Sequence, residues 1–307
     1  MPAITTPKGI TLEYETMGSP SDPAVLLVMG FGTQLIAWPR AFAERLAQAG
    51  RHVVLFDNRD CGLSSKLEGE TPDIAAILAA ASAGDLDRAR ALAPYTLSDM
   101  ADDGFALLRA LGIERAHLVG ASMGGMIAQT MAIEHPEWVL TLTSMMSNTG
   151  EPGFGEPTPE ASTVLLTPSP PDRAGYVDAA ERSLIWRSRR HPELEAAREL
   201  AGQSYDRCYC PEGVTRQLAA MLASGPRAAG LRDLRLPTLV LHGLDDTLIA
   251  PSGGERTAAL VPDARLLLVE NMGHDRPVVL WPQICEAILQ HTAPDAASSV
   301  AFTGSAA

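Results

Sequence analysis

Among the residues able to do chemistry, one stretch stands out: Gly120-Ala121-Ser122-Met123-Gly124, a serine with a glycine two residues away on either side. A serine hydroxyl is a weak nucleophile at neutral pH and needs a neighbouring base. Of the chain's seven histidines, His274 is the best placed. It ends a short loop, Glu270-Asn271-Met272-Gly273-His274, between an apolar run and a helical pattern. An imidazole base needs a carboxylate to hold its tautomer and to stabilise its charged form. Asp245 and Asp246 both qualify, because they follow the apolar run 239–242 and Gly243. Serine, histidine and aspartate together can carry out nucleophilic acyl transfer. That chemistry also needs N–H donors for a developing oxyanion. The backbone N–H of Met123 is one candidate, at a helix start. The N–H of Phe31 is the other, in the turn Met29-Gly30-Phe31-Gly32.

The elements that must place these groups follow from apolar spacing. Residues 9–17 alternate apolar and polar, as an antiparallel or edge strand does. Residues 24–29 and 52–56 are short apolar runs, each stopped by a turn or a polar loop, as buried parallel strands are. A helix is expected over 39–49, ended by Gly50, and another over 97–111 with Ser98 as its cap. Then come a strand over 116–119, a helix over 124–134 and a strand over 139–146. The series resumes with a strand over 239–242, a helix near 253–260, a strand over 265–269 and a helix over 277–291. Such alternation specifies an α/β fold: a mainly parallel central sheet with helices on both faces. Each chemical motif then lies at the C-terminal end of a strand, where open α/β sheets bind ligands. Ser122 falls on a strand–turn–helix elbow, and Gly120 and Gly124 let the strand and helix approach.

Two stretches break the alternation. Residues 68–95 form an insertion with one Ala-rich helical segment. Residues 148–233 open with a Pro/Gly/Thr-rich loop over 151–171, then read as helices near 176–190, 193–203 and 213–223. Stretches of this length either carry function or fold on their own. The second is expected to be a helical cap over the site. The chain thus divides into a core over 1–147, a cap over 148–233, a second core part over 234–291 and an Ala/Ser-rich tail over 292–307 expected to be disordered. Trp38 and the cap residues Trp186, Tyr205, Tyr209 and Met221 are candidates to line a substrate pocket, although the four cap residues also suit packing between helices. The arginines at 187, 189, 190 and 207 could meet an acidic substrate or form a solvated face.

Composition bounds the function. With 46% apolar and 20% charged residues, the chain can bury a sizeable core. A net charge of -13 excludes a generic nucleic-acid binder, since an acidic surface repels phosphates. No apolar run approaches the ~20 residues of a spanning helix, so no membrane partner is expected. Residues 1–8 lack a basic segment followed by an apolar core. Cys208 and Cys210 are too close in sequence for a zinc site, and the four cysteines read as reduced thiols of a cytoplasmic protein.

These motifs resemble the α/β-hydrolase superfamily over about residues 9–291. Gly243-Leu244-Asp245-Asp246 is similar to its Gly-x-x-Asp loop, and this resemblance selects Asp246 as the acid. Gly273-His274 is similar to its Gly-His loop. Met29-Gly30-Phe31 looks like its His-Gly-x oxyanion turn, with Met in the His position. A closer similarity is to bacterial esterases of the aclacinomycin methylesterase type. It rests on Leu26-Leu27-Val28-Met29-Gly30, Trp38-Pro39, Asp57-Asn58-Arg59-Asp60-Cys61-Gly62-Leu63-Ser64 and Met272-Gly273-His274. The resemblance implies a serine esterase that acts on a small-molecule ester through an acyl-enzyme, with no metal or organic cofactor. A cofactor-free haloperoxidase or perhydrolase would use the same three residues. A non-catalytic ligand receptor on the same fold is the alternative from a different class.

Overall fold

Strands buried on both faces need helices on both sides, and the structure supplies them. The computed structural model describes residues 2–293. In chain order its strands are β1 (Ala3–Thr5), β2 (Thr11–Met17), β3 (Ala24–Val28), β4 (His52–Phe56), β5 (Ala116–Ala121), β6 (Val139–Met145), β7 (Thr238–Gly243) and β8 (Arg265–Val269). They form one sheet in the order β1-β2-β4-β3-β5-β6-β7-β8. β2 runs antiparallel to β1 and to β4, and every other pairing is parallel. The three-residue β1 carries too little pattern to be read from sequence.

The helices are α1 (Arg40–Gln48), α2 (Ile74–Ser82), α3 (Leu86–Leu92), α4 (Leu97–Ala110), α5 (Met123–Glu134), α6 (Pro159–Leu166), α7 (Arg173–Ala179), α8 (Leu194–Arg207), α9 (Pro211–Ser224), α10 (Ala228–Asp233), α11 (Pro251–Leu260) and α12 (Trp281–His291). Alternation along β3 sorts the core into two layers. Val25 and Leu27 pack with Phe42 and Leu46 of α1 and Ile284 and Ile288 of α12. Leu26 and Val28 pack with Met100 and Phe105 of α4, Ile127 and Met131 of α5 and Leu231 of α10.

Three local expectations change. The cap of α4 is Thr96, not Ser98: the Thr96 hydroxyl accepts from Asp99 N–H, and the Asp99 carboxylate accepts from Thr96 N–H at 3.0 Å. Ser98 instead donates to Glu134. The first insertion holds two helices rather than one, because Gly84 (φ 78°) turns the chain and Asp85 caps the second. The loop expected over 151–171 contains α6, started by Thr158, whose side chain accepts from Ala161 N–H, and by Pro159 in its first turn.

The two insertions pack on each other. Ile77 and Ala80 of α2 and Ala89 of α3 share an apolar cluster with Ala219 and Ala223 of α9. At the far end, Thr292 does not lie in a loose tail: it is buried, and its hydroxyl accepts from Arg51 Nε at 3.0 Å. The remaining tail, 294–307, lies outside the described residues. Among the described residues, no helix is long and apolar enough to cross a membrane.

Candidate active site

β5 ends at Ala121 and α5 begins at Met123, so Ser122 alone makes the turn. Its backbone takes φ 58° and ψ -124°, a conformation costly for a side-chain-bearing residue. Ser122 N–H donates to Met145 O at 2.9 Å, tying the elbow to β6. The flanking glycines lie where backbone comes close. A Cβ on Gly120 would stand 2.1 Å from Gly124 O, and one on Gly124 would stand 2.1 Å from Val28 O. Neither position tolerates a side chain without moving backbone.

The three chemical groups, far apart in sequence, meet in one hydrogen-bonded row. His274 Nε2 is 2.9 Å from Ser122 Oγ, and its Nδ1 is 2.7 Å from Asp246 Oδ2. An ionised carboxylate only accepts, so Nδ1 carries the proton and the Nε2 lone pair faces the hydroxyl. Asp246 is fully anchored: Leu248 and Ile249 N–H both donate to Oδ1 at 2.9 Å. His242 lies behind it, donating Nε2–H to Ile249 O at 2.8 Å with Oδ2 3.5 Å away. Burial works to raise the Asp246 carboxyl pKa. His274, with His242 behind it, outweighs that and holds it at about 2. Asp245 takes no part in the row, since its carboxylate accepts from Arg189 N–H at 3.1 Å.

Of the two expected oxyanion donors, Met123 N–H follows Ser122 at the start of α5, and Phe31 follows Gly30, on which a Cβ would stand 3.5 Å from Ser122 Oγ. Among the described residues, no hydrogen bond occupies either amide. The neighbouring Gly32 N–H, in contrast, is taken by Gln217 Oε1 at 2.8 Å.

The candidate pocket residues fare differently. Trp38 is a packing residue. It is 2% exposed, stacks on Phe42 and lies under the Arg276 guanidinium. Tyr205 and Tyr209 form a cluster with Tyr176, and their hydroxyls donate to Pro171 O and Ser169 O. Tyr209 also borders a small cavity with Gly32, Cys61 and Val214. Met221 packs against the apolar layer beneath α4 and α5. Trp186 is the one that touches the site, through its backbone: its carbonyl accepts from His274 N–H at 2.6 Å. Three of the four arginines are committed within the protein, Arg187 beside Asp275, Arg189 beside Asp245 and Arg207 on Asp57.

Two features escape the sequence reading. The buried carboxylate of Asp275, next to the imidazole, accepts from Ser188 and Gly273 N–H and so fastens the insertion to the histidine loop. Burial pushes this carboxyl above its usual range, with Arg187 opposing. The second is the polar loop after β4. Asp57 accepts from Leu35 N–H and pairs with Arg207, Asn58 donates to Met29 O, Arg59 grips Asp103, and Asp60 grips Arg216. Four consecutive polar residues directly after a fully buried strand were the signal. Such groups can enter the interior only when paired.

Known proteins agree with this architecture. A rhodomycin D methylesterase of Streptomyces sp. (strain C5) is 28% identical over 94% of this chain and 97% of its own length. A hydrolase from Pseudomonas aeruginosa PA01 is similar in structure with a TM-score of 0.69 at 25% identity, over 94% of this chain and 97% of its own. An esterase from Exiguobacterium antarcticum reaches 0.73 at 19% identity over 94% and 98%, a likeness of fold. Residues 23–201 match the profile of the alpha/beta hydrolase fold, a span that includes the Ser122 elbow and more than half of the chain. On the strength of that match, the chain belongs to the α/β-hydrolase fold family.

Proposed function

We propose that this protein is a carboxylic ester hydrolase that works through an acyl-enzyme on Ser122. The observation that carries the reading is the continuous row Oγ–Nε2–Nδ1–Oδ2, with contacts of 2.9 and 2.7 Å. His274 takes the hydroxyl proton as Ser122 attacks the ester carbonyl. The N–H groups of Phe31 and Met123 receive the oxyanion. A pair of aimed donors of this kind contributes on the order of 3 kcal/mol each. Protonated His274 then donates to the leaving alcohol, and water, activated by the same imidazole, releases the acid. Asp246 stays ionised throughout and stabilises the imidazolium.

The insertion over 148–233 acts as a cap. Its segment around Trp186–Ser188 is joined to the histidine loop by His274 N–H to Trp186 O and Ser188 N–H to Asp275. Similarity to a rhodomycin D methylesterase supports methyl esters of small molecules as the substrate class. A fluorophosphonate probe followed by intact-mass analysis tests the nucleophile. One adduct is expected on the wild type and none on Ser122→Ala. Equal labelling of both proteins overturns the assignment. A panel of methyl and p-nitrophenyl esters then ranks substrates.

A further inference from the structure

We propose that Gln217, assisted by Thr33, is a positioning residue that sets the oxyanion turn from outside it. This deepens the esterase reading and rests on it. The turn is Met29-Gly30-Phe31-Gly32, and its two glycines offer little resistance to peptide rotation. Gly32 already sits at φ 64°. A turn of this kind holds a donor in place only if other groups pin the peptides on both sides.

The structure provides both pins. The Gly30–Phe31 peptide carries the proposed donor, Phe31 N–H, and on its opposite edge the Gly30 carbonyl. That carbonyl accepts from Thr33 Oγ1 at 3.0 Å and, more weakly, from Thr33 N–H at 3.4 Å. In a trans peptide the N–H points away from the carbonyl, so holding one directs the other. The next peptide is held at Gly32 N–H by Gln217 Oε1, at 2.8 Å. Gln217 is 0% exposed, and its Nε2 donates to Arg59 O at 2.9 Å. A donor on one side and a carbonyl on the other leave only one orientation for this amide. The arrangement also occupies Gly32 N–H and leaves Phe31 N–H as the open donor of the turn.

Gln217 is itself rigidly placed. The preceding residue, Arg216, pairs with Asp60 through Nε and Nη2 at 2.9 and 2.7 Å, and both side chains are buried. Ala219 and Ala223 press the other face of α9 on α2 and α3. Beside its Trp186–Ser188 segment, the second insertion thus also reaches the oxyanion turn through one amide side chain, on the well-packed helix α9. Losing an interaction of this kind misplaces a catalytic donor without removing it.

The test compares the wild type, Ser122→Ala, Gln217→Met and Thr33→Val. The readouts are kcat and KM on p-nitrophenyl acetate, affinity for phenylboronic acid as a tetrahedral adduct, and cooperative melting. Gln217→Met is expected to lower kcat about 10- to 100-fold, to leave KM within about threefold, and to weaken boronate affinity by the same factor as kcat. Thr33→Val, at an exposed position, moves both in the same direction by less. A folded Gln217→Met with wild-type kcat, or a loss of kcat with boronate affinity intact, overturns the proposal. If Gln217→Met does not melt cooperatively, Thr33→Val decides, and unchanged kcat and boronate affinity there overturn it. A wild type no more active than Ser122→Ala sinks the esterase reading and the positioning role with it, whereas an active wild type with unaffected variants sinks the positioning role alone.

Discussion

The two ends of the central sheet each hold buried imidazoles, in opposite electrostatic settings. At the C-terminal edge, His274 lies between a hydroxyl and an ionised carboxylate. At the N-terminal edge, His117 at the start of β5 meets Thr141 Oγ1 at 3.0 Å, and His291 at the end of α12 meets Leu142 O at 3.1 Å. Burial pushes both of these pKa values down to about 4; Arg51 and His291 add to the effect at His117, and Arg265 adds to it at His291, where backbone hydrogen bonds to Leu142 and Pro237 oppose. Desolvation, with the nearby cationic groups, therefore keeps these two imidazoles neutral. The proposed base differs in having a carboxylate buried beside its ring and kept charged by its own hydrogen bonds.

The strongest way to break this contrast is to remove groups at the catalytic edge. Ser122→Ala is expected to lower kcat on an activated ester by roughly 10⁴- to 10⁶-fold while melting stays cooperative. Retention of even a few per cent of kcat would point to another nucleophile. Asp246→Asn comes next, with a loss on the order of 10⁴ in kcat, because an amide facing Nδ1 favours the wrong tautomer. Asp245→Asn removes a carboxylate from the same loop but not from the row, and kcat is expected to stay within about threefold. Similar losses in both variants would mean that general loop charge, not the Asp246 geometry, supports the base.

Acid separates the two edges thermodynamically. His117 and His291 have folded values of about 4, below the ~6.5 of an unfolded histidine. The unfolded chain therefore takes up their protons first. Stability is full above pH ~6.5 and drains away as the pH falls towards about 4, on the order of 3 kcal/mol for each ring at most. Asp246, held at about 2, behaves differently: its contribution is present above the unfolded value of ~3.9 and is lost only as the pH falls through about 2. Melting at pH 7 and 4.5 spans most of the histidine window and stays above that of Asp246. His117→Gln is expected to shrink the difference between those two melting temperatures. An unchanged difference would remove the N-terminal edge as the acid-sensitive one.

What could be read before folding follows the same division. The proposed catalytic groups are legible because each sits at the end of an apolar run, and strand ends in a parallel sheet converge on one edge. Ser122 added a local signal, since two glycines beside a serine make sense only at a sharp strand–helix turn. Asp275 and Gln217 had no such signal. Their partners, Ser188 and Gly32, lie 87 and 185 residues away in sequence, and no periodicity links positions so far apart. The cap of α4 was misplaced by two residues because Thr96 and Ser98 are both good caps, and only the Asp99 partner decides between them. Trp38 is ambiguous in sequence because aromatic residues suit pockets and cores alike. Phe42 and Trp281 fix it in the core, with ring centroids 5.6 Å apart for Trp38–Phe42 and 5.9 Å for Phe42–Trp281.

The smallest expected effect sharpens the comparison from the idle end. Thr141→Val keeps the shape of β6 and removes the hydroxyl that His117 Nδ1 meets. A buried ring nitrogen would then lack its partner, at a cost of roughly 1–2 kcal/mol in stability. Thr141 and His117 are paired near the start of β6 and β5, while Ser122 follows the far end of β5. No reacting group contacts either residue, so kcat and KM should match the wild type once the protein is folded. A folded Thr141→Val with a markedly lower kcat would mean that strain at one end of β5 reaches the elbow at the other. The two edges would then have to be treated as coupled, and the contrast between an idle and a working imidazole could no longer be drawn from their local surroundings alone.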